Sequence, residues 1–578
     1  MASSDRARLT SLSTGFRGRY IDYATLTGQL EAWAAAFPSV VRLASIGRSR
    51  EGREFWQLTI GAQPDRTRPG VWVDGNLHAG ELAGSSVALA IAEDTIALHL
   101  DPEGATALPP HLCRIVRESL VYVLPRISPD GAEAVLTSGV YVRSVPRDER
   151  MARAQSRWIG GDADGDGQAL WMRRESPLGD FTEIAEAPGM LVPRLLDDAG
   201  PFFEIYPEGH IEYFDGDRIP APHYLADNPV DLNRNFPFHW RPEPEQIGAG
   251  AFPGSEPESR AVIERAEQLP HLFVWLNLHT FGGCHIRPSG DVPDSKMPPR
   301  DLGIYRQLGI WAEELTTYPM VSGFEEFLYQ PDQPLYGALS EWAYEHRGAL
   351  AWVTELWDLF ARLEVKRPKR FVDIYTSLTR EHLLRLYAWD AEHNEARIFR
   401  PWVPLDHPQL GRVEVGGLDR RIGLQNPSLA VLPEVCSQMS ALFLRTAALV
   451  PQLTLARVET VPLSGATQLA VEIHNRGYLG THGMDKAKNM PWNEPLYADL
   501  TVEGCTLDEP GRAHLLVGHL AGWGKGHAAS GQAIFYASTP GNESARTVRW
   551  TLRGKGAATV RIGSPRTGWL ERRVIIDG

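Results

Sequence analysis

The apolar positions Tyr23, Leu26, Leu30, Trp33 and Phe37 recur at helical spacing, and Pro38 closes the run. This predicts an amphipathic helix. Four short apolar runs, Val71–Val73, Leu120–Leu124, Leu272–Leu278 and Ala349–Val353, read as buried strands. Longer helical patterns lie between them, at Leu82–Leu100 and Glu256–Gln268. Strands that alternate with helices predict an α/β domain, with a mixed, largely parallel sheet covered by helices on both faces. From Trp158 to Asn235 the chain is rich in Gly, Pro and Asp and has little periodicity, so a long loop-rich excursion is expected there. After Pro451 the segments Leu453–Val458, Gln468–Ile473, Leu496–Val502 and Thr547–Leu552 alternate or run as short strands between Gly-rich turns. They predict a C-terminal all-β sandwich.

The length, 578 residues, exceeds what one hydrophobic core usually serves. We expect a first domain over residues 1–452 and a β-sandwich over residues 453–578. The formal net charge is −14, and the sequence shows no local basic cluster to offset it. Nucleic acid and anionic membrane are therefore not expected as partners. The opening residues Met1–Arg6 lead into no apolar segment of the kind a secretory signal has, and no stretch reaches the length of a membrane span. Cys113, Cys284, Cys436 and Cys505 are widely scattered, which suits a reducing compartment. A cytoplasmic location is expected.

The chemistry gathers where strands end. One strand runs into Asp74-Gly-Asn-Leu-His78-Ala-Gly-Glu81, the second delivers His279, and the third delivers Glu355. Ligands of open α/β sheets bind beyond the carboxyl ends of strands, so these four side chains are expected to converge. His78 and Glu81 stand three positions apart and can face one ion. His279 completes a ligand set of neutral imidazoles and a carboxylate, which suits a catalytic Zn²⁺ with one open position. Taken singly, His78 reads equally as a loop residue, Glu81 as a helix-start acid and Glu355 as a strand-end ion pair.

The set Gly75–Glu81, Pro129-Asp130-Gly131, Asp231-Leu-Asn233-Arg234-Asn235-Phe236, Leu278-His279-Thr280 and Thr354-Glu355-Leu356-Trp357 resembles the carboxypeptidase A-like zinc metallocarboxypeptidases, in the same order along the chain. The resemblance covers about residues 20 to 400. It implies one Zn²⁺ per chain held by His78, Glu81 and His279. It also implies Glu355 as the general base that takes a proton from zinc-bound water. Asn233 and Arg234 would grip the terminal carboxylate of a peptide or amino-acid-conjugate substrate. Arg173, with Arg174 beside it, falls where the family places the cation that stabilises the oxyanion. Gly80 stands where the digestive enzymes carry an Arg, and Ser128 where an Asn precedes Pro-Asp-Gly. The substrate-capping Tyr has two candidates, Tyr329 and Tyr336. Ser340, near the position expected to face the substrate's last side chain, is not acidic, so small, apolar or aromatic residues are expected there.

Asp162, Asp164 and Asp166 alternate ahead of Gly167. They fit either a structural Ca²⁺ site or a solvated acidic turn. Arg173 stands where a helix–loop–helix calcium loop needs its Glu, which excludes that motif. Two rival functions share the sequence: a zinc amidohydrolase acting on N-acyl amino acids or cell-wall peptides, and a non-catalytic binding protein on the same fold.

Overall fold

The computed structural model describes residues 2–102, 108–147, 155–223, 227, 230–331, 333–524, 526 and 541–578. Its centre is an eight-stranded sheet. The strands in chain order are β1 (Val41–Arg48), β2 (Glu54–Ile60), β3 (Gly70–Gly75), β4 (Leu120–Leu124), β5 (Leu272–Thr280), β6 (Cys284–Arg287), β7 (Met320–Ser322) and β8 (Leu350–Leu356). They lie in the order β1-β2-β4-β3-β5-β8-β6-β7. The inner four, β4, β3, β5 and β8, are mutually parallel, and antiparallel pairs join them to the flanks. Strands β3, β4 and β5 are buried along their whole length, so their sequences read as continuous apolar runs rather than alternating ones.

The predicted first helix spans Tyr23–Ala36. Asp22 caps it by accepting from Thr25 N–H at 2.7 Å, and Leu26, Leu30 and Trp33 are buried. The helix Ala83–Leu100 is buried on nearly every side. It packs against β3 and the helix Leu432–Ala447, which in turn meets the helix Pro299–Thr316. The start of Ala83–Leu100 approaches the end of β3 so closely that a Cβ on Gly75 would stand 2.5 Å from the backbone of Gly84. Only glycine allows this approach, and it seats the His78–Glu81 turn over the sheet.

The segment expected as loop from Trp158 to Asn235 is more ordered than its composition suggested. It carries six strands of three to six residues. Four of them join Phe399–His407 and Gly411–Leu418 in a six-stranded sheet. The strands are too short to give a periodic signal, and the partner that completes the sheet lies some two hundred residues downstream.

Beyond Leu453 two four-stranded antiparallel sheets face each other. Leu469, Val471, Ile473, Trp550 and Leu552 meet Leu496, Ala498, Val560 and Ile562 in a shared core. This sandwich is tied to the central sheet by Arg566. Its Nη2 donates to the carbonyls of Leu272, at 3.1 Å, and Gly348, at 3.0 Å. Its guanidinium also lies over Phe273 and Trp492. Those carbonyls sit just before or at the starts of β5 and β8, the strands whose far ends carry His279 and Glu355.

Replacing Gly75 by Ala should force the strand end and the helix start apart. A loss of about 1–3 kcal/mol of unfolding free energy is expected, read as a lower midpoint of chemical denaturation. An unchanged midpoint would show that the contact is not limiting.

Candidate metal centre

The sheet register builds the site. Parallel pairing of β5 with β3 sets Trp275 beside Trp72 and Asn277 beside Asp74. Pairing of β5 with β8 sets His279 beside Glu355. Side chains two apart on a strand share a face, so Trp275, Asn277 and His279 point the same way.

The result is a chain of buried hydrogen bonds beneath the site. Asp74 accepts from Trp72 Nε1 and Trp275 Nε1, each at 2.7 Å, and from Asn277 Nδ2. Asn277 Oδ1 is thereby turned to His279 Nε2, at 2.6 Å. Burial pushes the Asp74 carboxyl up to about 7, opposed by its three donors. A second chain serves the other ring. Arg143 Nε donates to Asp231 Oδ2 at 2.9 Å, and Asp231 Oδ1 lies 3.1 Å from His78 Nε2. Burial acts against charge on both Asp231 and Arg143. Their mutual attraction, together with His78 and Arg234 for the carboxyl and Tyr141 and Glu81 for the guanidinium, outweighs it, holding the carboxyl well below and the guanidinium above the ordinary range.

With both Nε2 atoms facing acceptors, the two rings present Nδ1 to each other, 3.0 Å apart. Glu81 lies between them: Oε1 is 2.8 Å from His78 Nδ1 and Oε2 is 2.9 Å from His279 Nδ1. Burial would raise the Glu81 carboxyl, but His78 and His279 hold it well below the usual range. Burial pushes His279 down.

This donor set fits a metal ion on its own chemistry. An imidazole whose Nε2–H is donated outward keeps a lone pair on Nδ1. Two such lone pairs and a carboxylate then face one point. Glu81 Oε2 is buried with no hydrogen bond in line with it, an arrangement that costs free energy unless a cation satisfies it. One ligand atom from each of the three residues lies within 4.8 Å of the others.

Glu355 is partly open to solvent, and among the described residues its carboxylate takes no hydrogen bond from the protein. Burial raises its pKa well above the ordinary value, Glu81 adds to the rise, and Arg143 opposes it. Asn233 and Arg234 lie on the short 3-10 turn Leu232–Arg234, capped by Asp231. Asn233 Oδ1 accepts from Leu339 N–H at 2.9 Å. Arg234 is buried, its Nη1 donates to Asn233 O at 2.6 Å, and its Nε has no partner among the described residues. Arg234 lies close enough to Asp231 to act on its charge. It also acts on Glu341, a carboxyl that burial and Asp291 push up to about 8.

The structure does not bring Arg173 to this group, and the expectation for it is corrected. Arg173 sits mid-strand in the separate six-stranded sheet, held by Glu183 and Glu414 and stacked over Phe203 and Trp402. The cation beside Glu81 is Arg143 instead, with Nη1 3.9 Å from Glu81 Oε1. Its backbone carbonyl accepts from Ala79 N–H at 2.9 Å, which pins it against the His78–Glu81 turn. Of the two tyrosines, Tyr329 acts on the charge of Arg143, whereas Arg241 lies over the ring of Tyr336. Asp162, Asp164 and Asp166 do cluster, but their oxygens also accept from backbone N–H groups of their own turn.

The profile described as zinc carboxypeptidase matches residues 26–183 and 222–361, more than half of the chain. The chain belongs to the zinc carboxypeptidase family. The matched segments include the positions of His78, Glu81, Arg143, Asn233, Arg234, His279 and Glu355. Carboxypeptidase D of Homo sapiens is 35% identical over 125 residues, 18% of this chain and 9% of that protein. A zinc carboxypeptidase of Saccharothrix mutabilis subsp. capreolus is 28% identical over 130 residues, 22% of this chain and 28% of that one. In both, the match spans less than a third of the relative's own length. The crystal structure of carboxypeptidase A from Helicoverpa armigera is similar at 18% identity and a TM-score of 0.39, covering 67% of this chain and 77% of that one. A domain of unknown function matches residues 452–575.

The two hydrogen-bond chains make a direct prediction. Asn277→Ala and Asp231→Ala, which leave every candidate ligand in place, should each weaken zinc binding by about 10–100-fold in chelator competition. Wild-type affinity in both would mean that the ring orientation does not depend on them.

Proposed function

We propose that the protein is a zinc-dependent carboxypeptidase that hydrolyses the last amide bond of a peptide or amino-acid conjugate bearing a free C-terminal carboxylate. One observation carries this reading: His78 Nδ1, His279 Nδ1 and the Glu81 carboxylate converge on one point, one strand away from Glu355, a carboxylate without a hydrogen-bond partner among the described residues. His78, Glu81 and His279 would hold one Zn²⁺. Bound there, zinc supplies Lewis-acid polarisation of a carbonyl and acidifies water.

The chain's own residues do the rest. Glu355 takes the proton of the attacking water and passes it to the departing nitrogen, a role that its raised proton affinity supports. Arg143, fixed by Asp231, sets a permanent positive charge beside the reacting carbonyl, where negative charge develops. Arg234 offers a buried donor, Nε, that the described residues leave unmatched, and a carboxylate satisfies it with a charge-assisted bond. Asn233 positions this turn through Leu339. Tyr329, near Arg143, is the better placed of the two tyrosines to close over a substrate. The four cysteines are free and buried, and a cytoplasmic location is part of the proposal. No helix among the described residues is long and apolar enough to cross a membrane.

Blocked dipeptides with free and amidated C-termini test the substrate class. Cleavage of the free acids alone is expected, and it should fall at least tenfold in Arg234→Met. Equal cleavage of the amides would remove the clamp and favour a different amidohydrolase. Glu355→Gln should keep its zinc and lose about 10²–10⁴ in kcat. A zinc-loaded Glu355→Gln protein with full turnover would remove Glu355 as base. The base works ionised, so activity should fall as pH drops through its pKa. Because that pKa is raised, the acid limb of kcat/KM should lie above the ordinary glutamate value of 4.5. A limb at or below that value would contradict the assigned environment.

A further inference from the structure

A cavity of about 560 Å³ lies at the opposite pole from the metal centre, between the central sheet and the C-terminal sandwich. One wall is the segment Ala62–Pro69, which leads into β3, together with the helix end Ile115–Arg117. The other is Gln452–Thr454 and the hairpin residues Thr567, Trp569 and Leu570. Three arginines line it, Arg66, Arg68 and Arg117, against one acidic residue, Glu118.

These arginines lack the carboxylates that normally accompany such groups. Among the described residues the guanidinium groups of Arg66 and Arg117 have no hydrogen-bond or ion-pair partner. Arg68 donates to the carbonyls of Gln63 and Ala62. The Nε atoms of Arg68 and Arg117 are buried and unmatched, as are Gln452 Nε2 and Thr454 Oγ1 on the facing wall. The charges are close enough to act together. Burial and Arg66 pull the pKa of Arg68 down, and burial with Arg117 and Arg68 holds His99 down to about 4. Unmatched buried donors and uncompensated like charges both cost stability. An anion seated among them removes both costs at once, and Ile115, Leu453 and Trp569 offer apolar surface to the body that carries it. Clefts between domains are frequent ligand sites.

We propose that this cavity binds a small organic anion whose phosphate or carboxylate group sits among Arg117, Arg66 and Arg68, with its apolar part against Trp569. The site is separate from the metal centre. Because Arg68 leads into β3 and Trp569 belongs to the sandwich, an occupant bridges the two parts of the molecule.

Isothermal titration of the full chain with phenyl phosphate and with phenylacetate, at constant ionic strength, tests this and distinguishes the two headgroups. The deciding quantity is the difference between the wild-type protein and the Arg66→Gln/Arg117→Gln variant, which breaks no ion pair among the described residues. Saturable binding of at least one probe, weakened about ten- to hundredfold in the variant, is the expected result. The tighter probe identifies the headgroup. Glu118→Gln removes the single negative charge of the lining and should tighten the same binding. No saturable binding of either probe, or equal binding by wild type and double variant, overturns the proposal. So does a Glu118→Gln protein that binds no more tightly.

Discussion

The orientation of two imidazole rings governs the site. His78 and His279 arrive from different strand ends, and each could offer either nitrogen. What selects Nδ1 is the acceptor behind each ring: Asp231 for His78 and Asn277 for His279. These acceptors are fixed in turn, Asp231 by Arg143 and Asn277 by Asp74 with its two tryptophan donors. Every group in these two chains is buried or nearly so, where a hydrogen bond is worth more than in water and a missing one costs more. The inward-facing lone pairs are thus a property of the surrounding fold, and the three candidate ligands alone would not enforce them.

Those supports explain why the site stands where it does. Asp74, Asn277 and Trp275 meet because β3 and β5 pair in parallel in one register, and a slip by one residue would turn each of them to the other face. Glu355 stands beside His279 through the same kind of pairing with β8. At the other end of β5 and β8, Arg566 takes up the carbonyls of Leu272 and Gly348. The sandwich therefore braces the same two strands from which the site is built. Among its described residues it contributes none that converge on the site, yet it is joined to the frame that holds them.

The electrostatics are divided by position. Glu81 and Asp231 are kept ionised by the imidazoles and Arg143, whereas Glu355 and Asp74 are pushed toward the protonated form by burial. Glu81 and Glu355, which act on each other's charge, are thus shifted in opposite directions by their surroundings. On the proposed reading, that separation would let Glu81 serve as a ligand while Glu355 exchanges protons.

The local signals in the chain were enough for much of this. Apolar runs marked β3, β4, β5 and β8, helical spacing marked Tyr23–Ala36, and residues at strand ends marked His78, Glu81, His279 and Glu355. These features depend on near neighbours and on burial, which a sequence records directly. Asn277 was also legible in principle, two residues before His279 on the same face. Arg143 and Arg173 were not separable in this way. Each stands two residues after an aromatic side chain, Tyr141 or Trp171, with no local signal that tells them apart. Only the fold shows that the backbone of one is bonded to the His78–Glu81 turn, while the other belongs to a sheet completed by Gly411–Leu418. The short strands within Trp158–Asn235 were hidden for the same reason. Their pairing partners are distant in sequence, and a contact between distant segments leaves no mark in the local pattern of either one. The sequence alone determined which residue types stand at the strand ends. The tertiary structure decided which nitrogen, which arginine and which faces meet, because those depend on register and on packing between segments hundreds of residues apart.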